Sequence, residues 1–167
     1  ALAGGETTIR VNFTVTGTPD GGETLEVDIT DATSIFDAAG NGAVANQTSN
    51  NTSTLNDEAL PVISSVSLDG SNGFIDVTFS EGVFNTNGGT GALETTDFNL
   101  SLTGGTATSP TVTSVTQTGG GALAGGETTI RVNFTVTGTP DGGETLEVDI
   151  TDATSIFDAA GNGAVAN

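Results

Sequence analysis

The sequence predicts an all-β chain: an antiparallel β-sandwich of about seven strands, repeated with a period of 121 residues. Three observations carry this expectation. Apolar residues alternate with polar ones at period two, no window shows helical periodicity, and one stretch occurs twice without a substitution. That stretch, ALAGGETTIRVNFTVTGTPDGGETLEVDITDATSIFDAAGNGAVAN, fills residues 1–46 and again residues 122–167. Ile9 therefore recurs as Ile130, and Asp37 as Asp158. Identity over 46 positions means recent duplication or selection for uniform units. The expected organisation is the C-terminal part of a preceding identical repeat (1–46), a linker (47–56) and a complete domain (57–167). The chain begins without Met and reads as a window cut from a longer repetitive protein.

In chain order, GETTIRVNFTVT (5–16) places Ile9, Val11, Phe13 and Val15 on one face and Arg10, Asn12, Thr14 and Thr16 on the other. GTPDGGE then supplies a tight turn with residues that tolerate positive φ. Leu25, Val27 and Ile29 alternate with Glu26, Asp28 and Thr30 to complete a hairpin. Ile35 and Phe36 fall in an irregular loop, and Ala43 to Ala45 begin a last short strand. QTSNNTSTLN (47–56) has no core-forming pattern and reads as the linker.

In the domain that follows, Val62, Val66 and Leu68 mark a first strand entered through Pro61. Ile75, Val77 and Phe79 mark a second. Glu81 to Asp97 reads as a long Gly/Asn/Thr loop, Phe98 to Leu102 as a third strand, and Val112 and Val115 as part of a fourth. The second copy of the repeat supplies three more.

Composition excludes several classes. The net charge is −19, with seven acids against one Arg in residues 1–46 and fourteen against one in the remainder. Such a surface repels nucleic acid and anionic membranes and attracts divalent cations; it also serves simply to keep an array soluble. Cysteine is absent, so no disulfide contributes, and without lysine no Lys–Asn isopeptide link forms. No apolar run approaches the roughly 20 residues of a membrane span. With no His, Cys, Lys, Tyr or Trp, the triad, zinc and Schiff-base chemistries are unavailable, as is a sugar-stacking platform. A non-enzymatic role is expected.

IDVTFSEGV and LEVDITDATSIFDAAGN resemble the bacterial Ig-like domains of S-layer proteins and large repetitive surface adhesins, and LNDEALPVI resembles the junctions that open such modules. The resemblance spans Asp57 to Asn167. It implies an Ig-like sandwich, an extracellular or cell-surface location, and service as a spacer, in some members stiffened by Ca2+ at domain junctions. Gly82 stands where that family usually has Pro.

In an Ig-type sandwich, one pole would collect Asp57, Glu58, Glu81, Asp97, Asp152, Asp158 and Asn162. Carboxylates gathered without a cation repel one another, and Ca2+ takes six or more oxygens, so this is the candidate interdomain calcium pole. The competing reading is solvated loop acids, with Asp158 bonding its own turn amides. DAAGNG fails as an EF-hand because Ala160 occupies a ligand position, and GGTGAL fails as a calcium nonapeptide at Leu93. Asn12, Asn46, Asn50, Asn51, Asn99 and Asn133 fit the N-x-[ST] glycosylation pattern, which a chain rich in Asn and Thr also produces by chance.

The expected function is a structural repeat forming the shaft of a filament, surface layer or adhesin. Its partners are neighbouring identical repeats, joined in one chain or by strand complementation. The alternative is a calcium-dependent ligand- or carbohydrate-binding adhesion module using the loop Glu81 to Asp97.

Overall fold

The computed structural model describes residues 2–166, and the end positions of the predicted segments, 1 and 167, lie outside them. The chain is all-β with antiparallel sheets, and it divides into two compact units, residues 1–59 and 60–167.

Among its described residues the first unit holds two short strands, β1 (Thr24–Glu26) and β2 (Thr52–Thr54), paired antiparallel with Thr24 opposite Thr54 and Glu26 opposite Thr52. This corrects the expected hairpin. Residues 5–16 form no strand, and the predicted second strand shrinks to three residues. The predicted linker instead supplies β2. Threonine favours extended backbone without an apolar pattern, so a search for core-facing residues passes over such an edge pairing. Pro19 anchors the end of the unit: its carbonyl accepts the N–H groups of Glu58 (2.9 Å) and Ala59 (3.0 Å).

The second unit contains β3 (Ile63–Leu68), β4 (Phe74–Val83), β5 (Phe98–Thr103), β6 (Thr108–Thr116), β7 (Glu127–Thr137) and β8 (Thr145–Ile150), with one 3-10 turn at Thr95–Asp97. A four-stranded sheet has the order β3-β4-β7-β6, and β5 pairs with β8 in a second sheet. Ile75, Val77 and Phe79 from β4 and Ile130, Val132 and Phe134 from β7 share one core with Phe98, Leu100, Val148 and Ile150 of the smaller sheet. Two antiparallel sheets over a common core are consistent with a β-sandwich.

Alternation works as the sequence requires: β7 buries every second residue, while Arg131 between them bonds Asp76 on β4 through Nε (2.8 Å) and Nη2 (3.0 Å). The same guanidinium lies 3.6 Å from the Phe74 ring centroid.

Two further expectations change. No named strand follows β8; the chain closes through the Phe157–Gly163 bridge and the Ala164 N–H bond to Ile156 (2.8 Å), giving six strands in this unit among the described residues. The region from Glu81 to Asp97 is not an open loop. Phe84 bridges to Phe157, Thr86 pairs with Thr90, and Leu93 enters the core at 4% exposure. Leu93, the residue that spoiled the calcium nonapeptide, is a core residue.

Candidate functional site

The acidic residues are held mostly by their own turns. Asp158 is fully buried. Its Oδ1 accepts the N–H groups of Gly161 (2.6 Å) and Asn162 (2.7 Å), and its Oδ2 accepts Nδ2 of Asn162 (2.8 Å). Asp152 Oδ1 accepts Thr154 N–H and Oγ1 and Ser155 Oγ, at 2.7, 2.6 and 3.1 Å. The Thr154 hydroxyl, above all, lowers the Asp152 pKa. These bonds belong to the D-A-T-S and D-A-A-G-N sequences themselves.

The first copy shows the same two locks: Asp31 accepts Thr33 and Ser34, and Asp37 accepts Ala39 and Asn41. Two more turn locks are shared. Glu6 and Glu127 accept the backbone N–H groups two and three residues before them, and Asp20 and Asp141 accept the second glycine of their Gly-Gly pairs.

Of the predicted pole, Asp57 and Glu58 lie at the end of the first unit, where Asp57 Oδ1 accepts the Ala59 N–H at 2.9 Å. In the second unit, Glu81 and Asp158 each bring a carboxylate oxygen within 4.8 Å of the other. Asp97 is buried at 4% exposure, with Oδ2 accepting the Glu94 N–H at 2.7 Å. Burial, chiefly, raises its pKa against the lowering effect of that hydrogen bond, and the charges of Glu94 and Asp152 add to the rise. A group whose folded pKa is raised stabilises the fold only while protonated, and that contribution is lost as pH rises through the folded value. Asp97→Asn keeps an acceptor for Glu94 and removes the charge. It is therefore expected to raise the melting temperature at pH 7, with the gain shrinking on acidification; an unchanged or lower value at pH 7 contradicts this.

Glu144 was singled out by no motif, yet it ties two loops together. It accepts Thr106 and Ala107 N–H at 2.9 Å each, and Gly142 N–H at 3.0 Å. The Ala107 N–H bond leads in pulling its pKa down to about 2 from the ordinary 4.5. The available sequence signal was an acid placed just after Gly-Gly, where unhindered amides are close at hand. Because the folded value is depressed, the Glu144 contribution is complete above pH 4.5 and is lost as pH falls toward 2. Asp69 and Asp152 shift in the same direction. Thermal melts are therefore expected to drop progressively between pH 4.5 and 2, and a flat profile would remove the bridging role.

A cavity of about 240 Å³ opens beside Glu144, walled by Leu68, Leu102, Phe134, Val136 and Leu146. It is smaller than the roughly 300–1,000 Å³ of ligand pockets. Its one acid already faces backbone donors, and it lies apart from the Glu81 to Asp97 region expected for a ligand.

The sequons divide by setting. Asn12, Asn46, Asn50 and Asn99 are exposed. Asn133 is half-buried, with Nδ2 3.4 Å from Ser114 O and Thr116 Oγ1. Asn51 Nδ2 is engaged by Asp28 (2.8 Å) and Glu26 (3.2 Å), which competes with its use as a glycan acceptor. Among the described residues no helix is long and apolar enough to cross a membrane.

No family model, curated protein or solved structure matches the chain.

Proposed function

We propose that the chain is a structural repeat: an Ig-like β-sandwich module of an extracellular linear array, acting as the shaft of a filament, surface layer or adhesin and carrying no catalysis. One observation carries the reading. The same residues occupy two environments: Ile130, Val132 and Ile156 are 0% exposed and Phe134 5%, whereas Ile9, Val11, Phe13 and Ile35 are 45–61% exposed. An apolar face left in water is an interaction surface, and its sequence is that of β7, a strand seated between two neighbours. What completes it is the portion equivalent to residues 60–121, delivered by further repeats in the same chain or by another molecule. The missing His, Cys, Lys, Tyr and Trp are compatible with a mechanical role.

The test is dimensional. Chains built with one, two and three 121-residue periods, measured by small-angle scattering, are expected to lengthen by a constant increment per period, and electron microscopy of native material to show a regular axial repeat. A maximum dimension growing only as the cube root of mass sinks the reading.

Calcium binding is a second reading, favoured by the approach of Glu81 to Asp158. Calcium takes roughly six to eight oxygens, so two carboxylates are only part of a site. Titration with CaCl2 is expected to release heat and raise the melting temperature. No heat and no shift at millimolar calcium end this reading.

A further inference from the structure

We infer that the scaffold formed by residues 60–121 is a docking surface for either copy of the 46-residue stretch, so that residues 2–45 exchange with residues 123–166 upon it. This goes beyond the array reading and does not depend on it.

Three features of the chain support the exchange. First, the two segments are identical, so every side-chain contact that Ile130, Val132, Phe134, Val148, Ile150 and Ile156 make with the scaffold is available to their counterparts in the first copy. Those counterparts are now in water: Ile9 is 50% exposed where Ile130 is 0%.

Second, the chain ends allow it. Val165 donates its N–H to the Pro61 carbonyl at 3.1 Å, and Val165 corresponds to Val44. With the first copy docked, Val44 takes that position, and residues 45–60 need only close a loop whose ends are a hydrogen bond apart. In the present arrangement residues 117–126 close the connection from β6 to β7. Lengthening a flexible loop from ten residues to sixteen changes its closure probability by about twofold. Connectivity therefore discriminates weakly between the two arrangements.

Third, the first copy is prepared for docking. Its four turn locks already match those of the second copy, so the strands have only to pair along the scaffold. What must be released is small. The first unit gives up the three β1–β2 residue pairs, the flanking Val27 N–H bond to Asn51 O and Leu55 N–H bond to Glu23 O, the Asn51 side-chain bonds to Glu26 and Asp28, and the two N–H bonds to Pro19. In exchange, Thr24, Leu25 and Glu26 take the positions of Thr145, Leu146 and Glu147 opposite Thr103, Leu102 and Ser101.

In a tandem array the same competition sits on both sides of every scaffold.

The test uses the full chain, refolded from denaturant so that exchange reaches equilibrium. Three variants are compared: Ile9→Asp, Ile130→Asp and both together. Ile9→Asp is expected to melt as the parent does. Ile130→Asp is expected to keep a cooperative transition within a few degrees of the parent, because Ile9 replaces Ile130 in the core. The double variant is expected to lose the transition.

Hydrogen exchange read by mass spectrometry supplies the second measurement, since each substitution gives otherwise identical peptides different masses. In Ile130→Asp, amides of residues 9–15 are expected to slow by about a hundredfold relative to the same amides in Ile9→Asp. The inference is overturned if Ile130→Asp loses cooperative unfolding as fully as the double variant, or if it melts normally while residues 9–15 remain unprotected.

Discussion

Phe79→Ala is expected to lower the unfolding free energy of the second unit by about 3–5 kcal/mol, the usual cost of emptying an aromatic site in a packed core. Phe79 is 3% exposed and lies 6.5 Å, centroid to centroid, from Phe98 at a 55° tilt, so it joins the four-stranded sheet to the smaller one. Both rings come from residues 60–121, a part of the chain present once. No duplicate residue can take over, unlike at positions 122–167. Chemical denaturation read by circular dichroism checks the result, since Phe is the only aromatic type and there is no Trp signal to follow. A loss below about 1 kcal/mol, the range of ordinary surface changes, contradicts the packing described.

Gly82→Ala is expected to cost about 1–3 kcal/mol, for a different reason. A Cβ at this position would meet the Gly126 carbonyl oxygen at 2.7 Å and its carbonyl carbon at 3.3 Å. Both atoms are backbone, so neither moves aside by changing a rotamer. The position falls within the register shift between Thr78 and Val83, where β4 and β7 lose their even pairing and the Gly126 N–H reaches Val83 O at 2.8 Å. Gly70→Ala is the control, because a Cβ there meets nothing within 4 Å and its φ is not positive. Melting temperatures of the two variants should separate clearly; equal values contradict the close approach.

Much of the second unit was legible because alternation was strong. Ile75, Val77 and Phe79, then Phe98, Leu100 and Leu102, announced β4 and β5, and the strands lie there. Asp158 was read either as a metal ligand or as a lock on its own turn, and three hydrogen bonds from Gly161 and Asn162 hold it to that turn. The bridge made by Glu144 was not legible beyond its place after Gly-Gly, because its partners Thr106 and Ala107 lie 38 and 37 residues away. Nor was β2, whose Thr-Ser-Thr carries no apolar signal and pairs only because Thr24–Glu26 lies beside it.

Two identical copies in one chain separate what the residues decide from what their surroundings decide. The sequence by itself determined the turns: Asp37 and Asp158 close the same loop, Asp31 and Asp152 the same turn, although only the second copy is packed into a core. A side-chain oxygen two to four residues from the amide it accepts needs no help from elsewhere. Only the tertiary structure decided the strands. Residues 127–137 form β7 and bury Ile130 because β4 and β6 complete their backbone hydrogen bonds on both edges, whereas residues 6–16, with the same side chains and no such neighbours, do not.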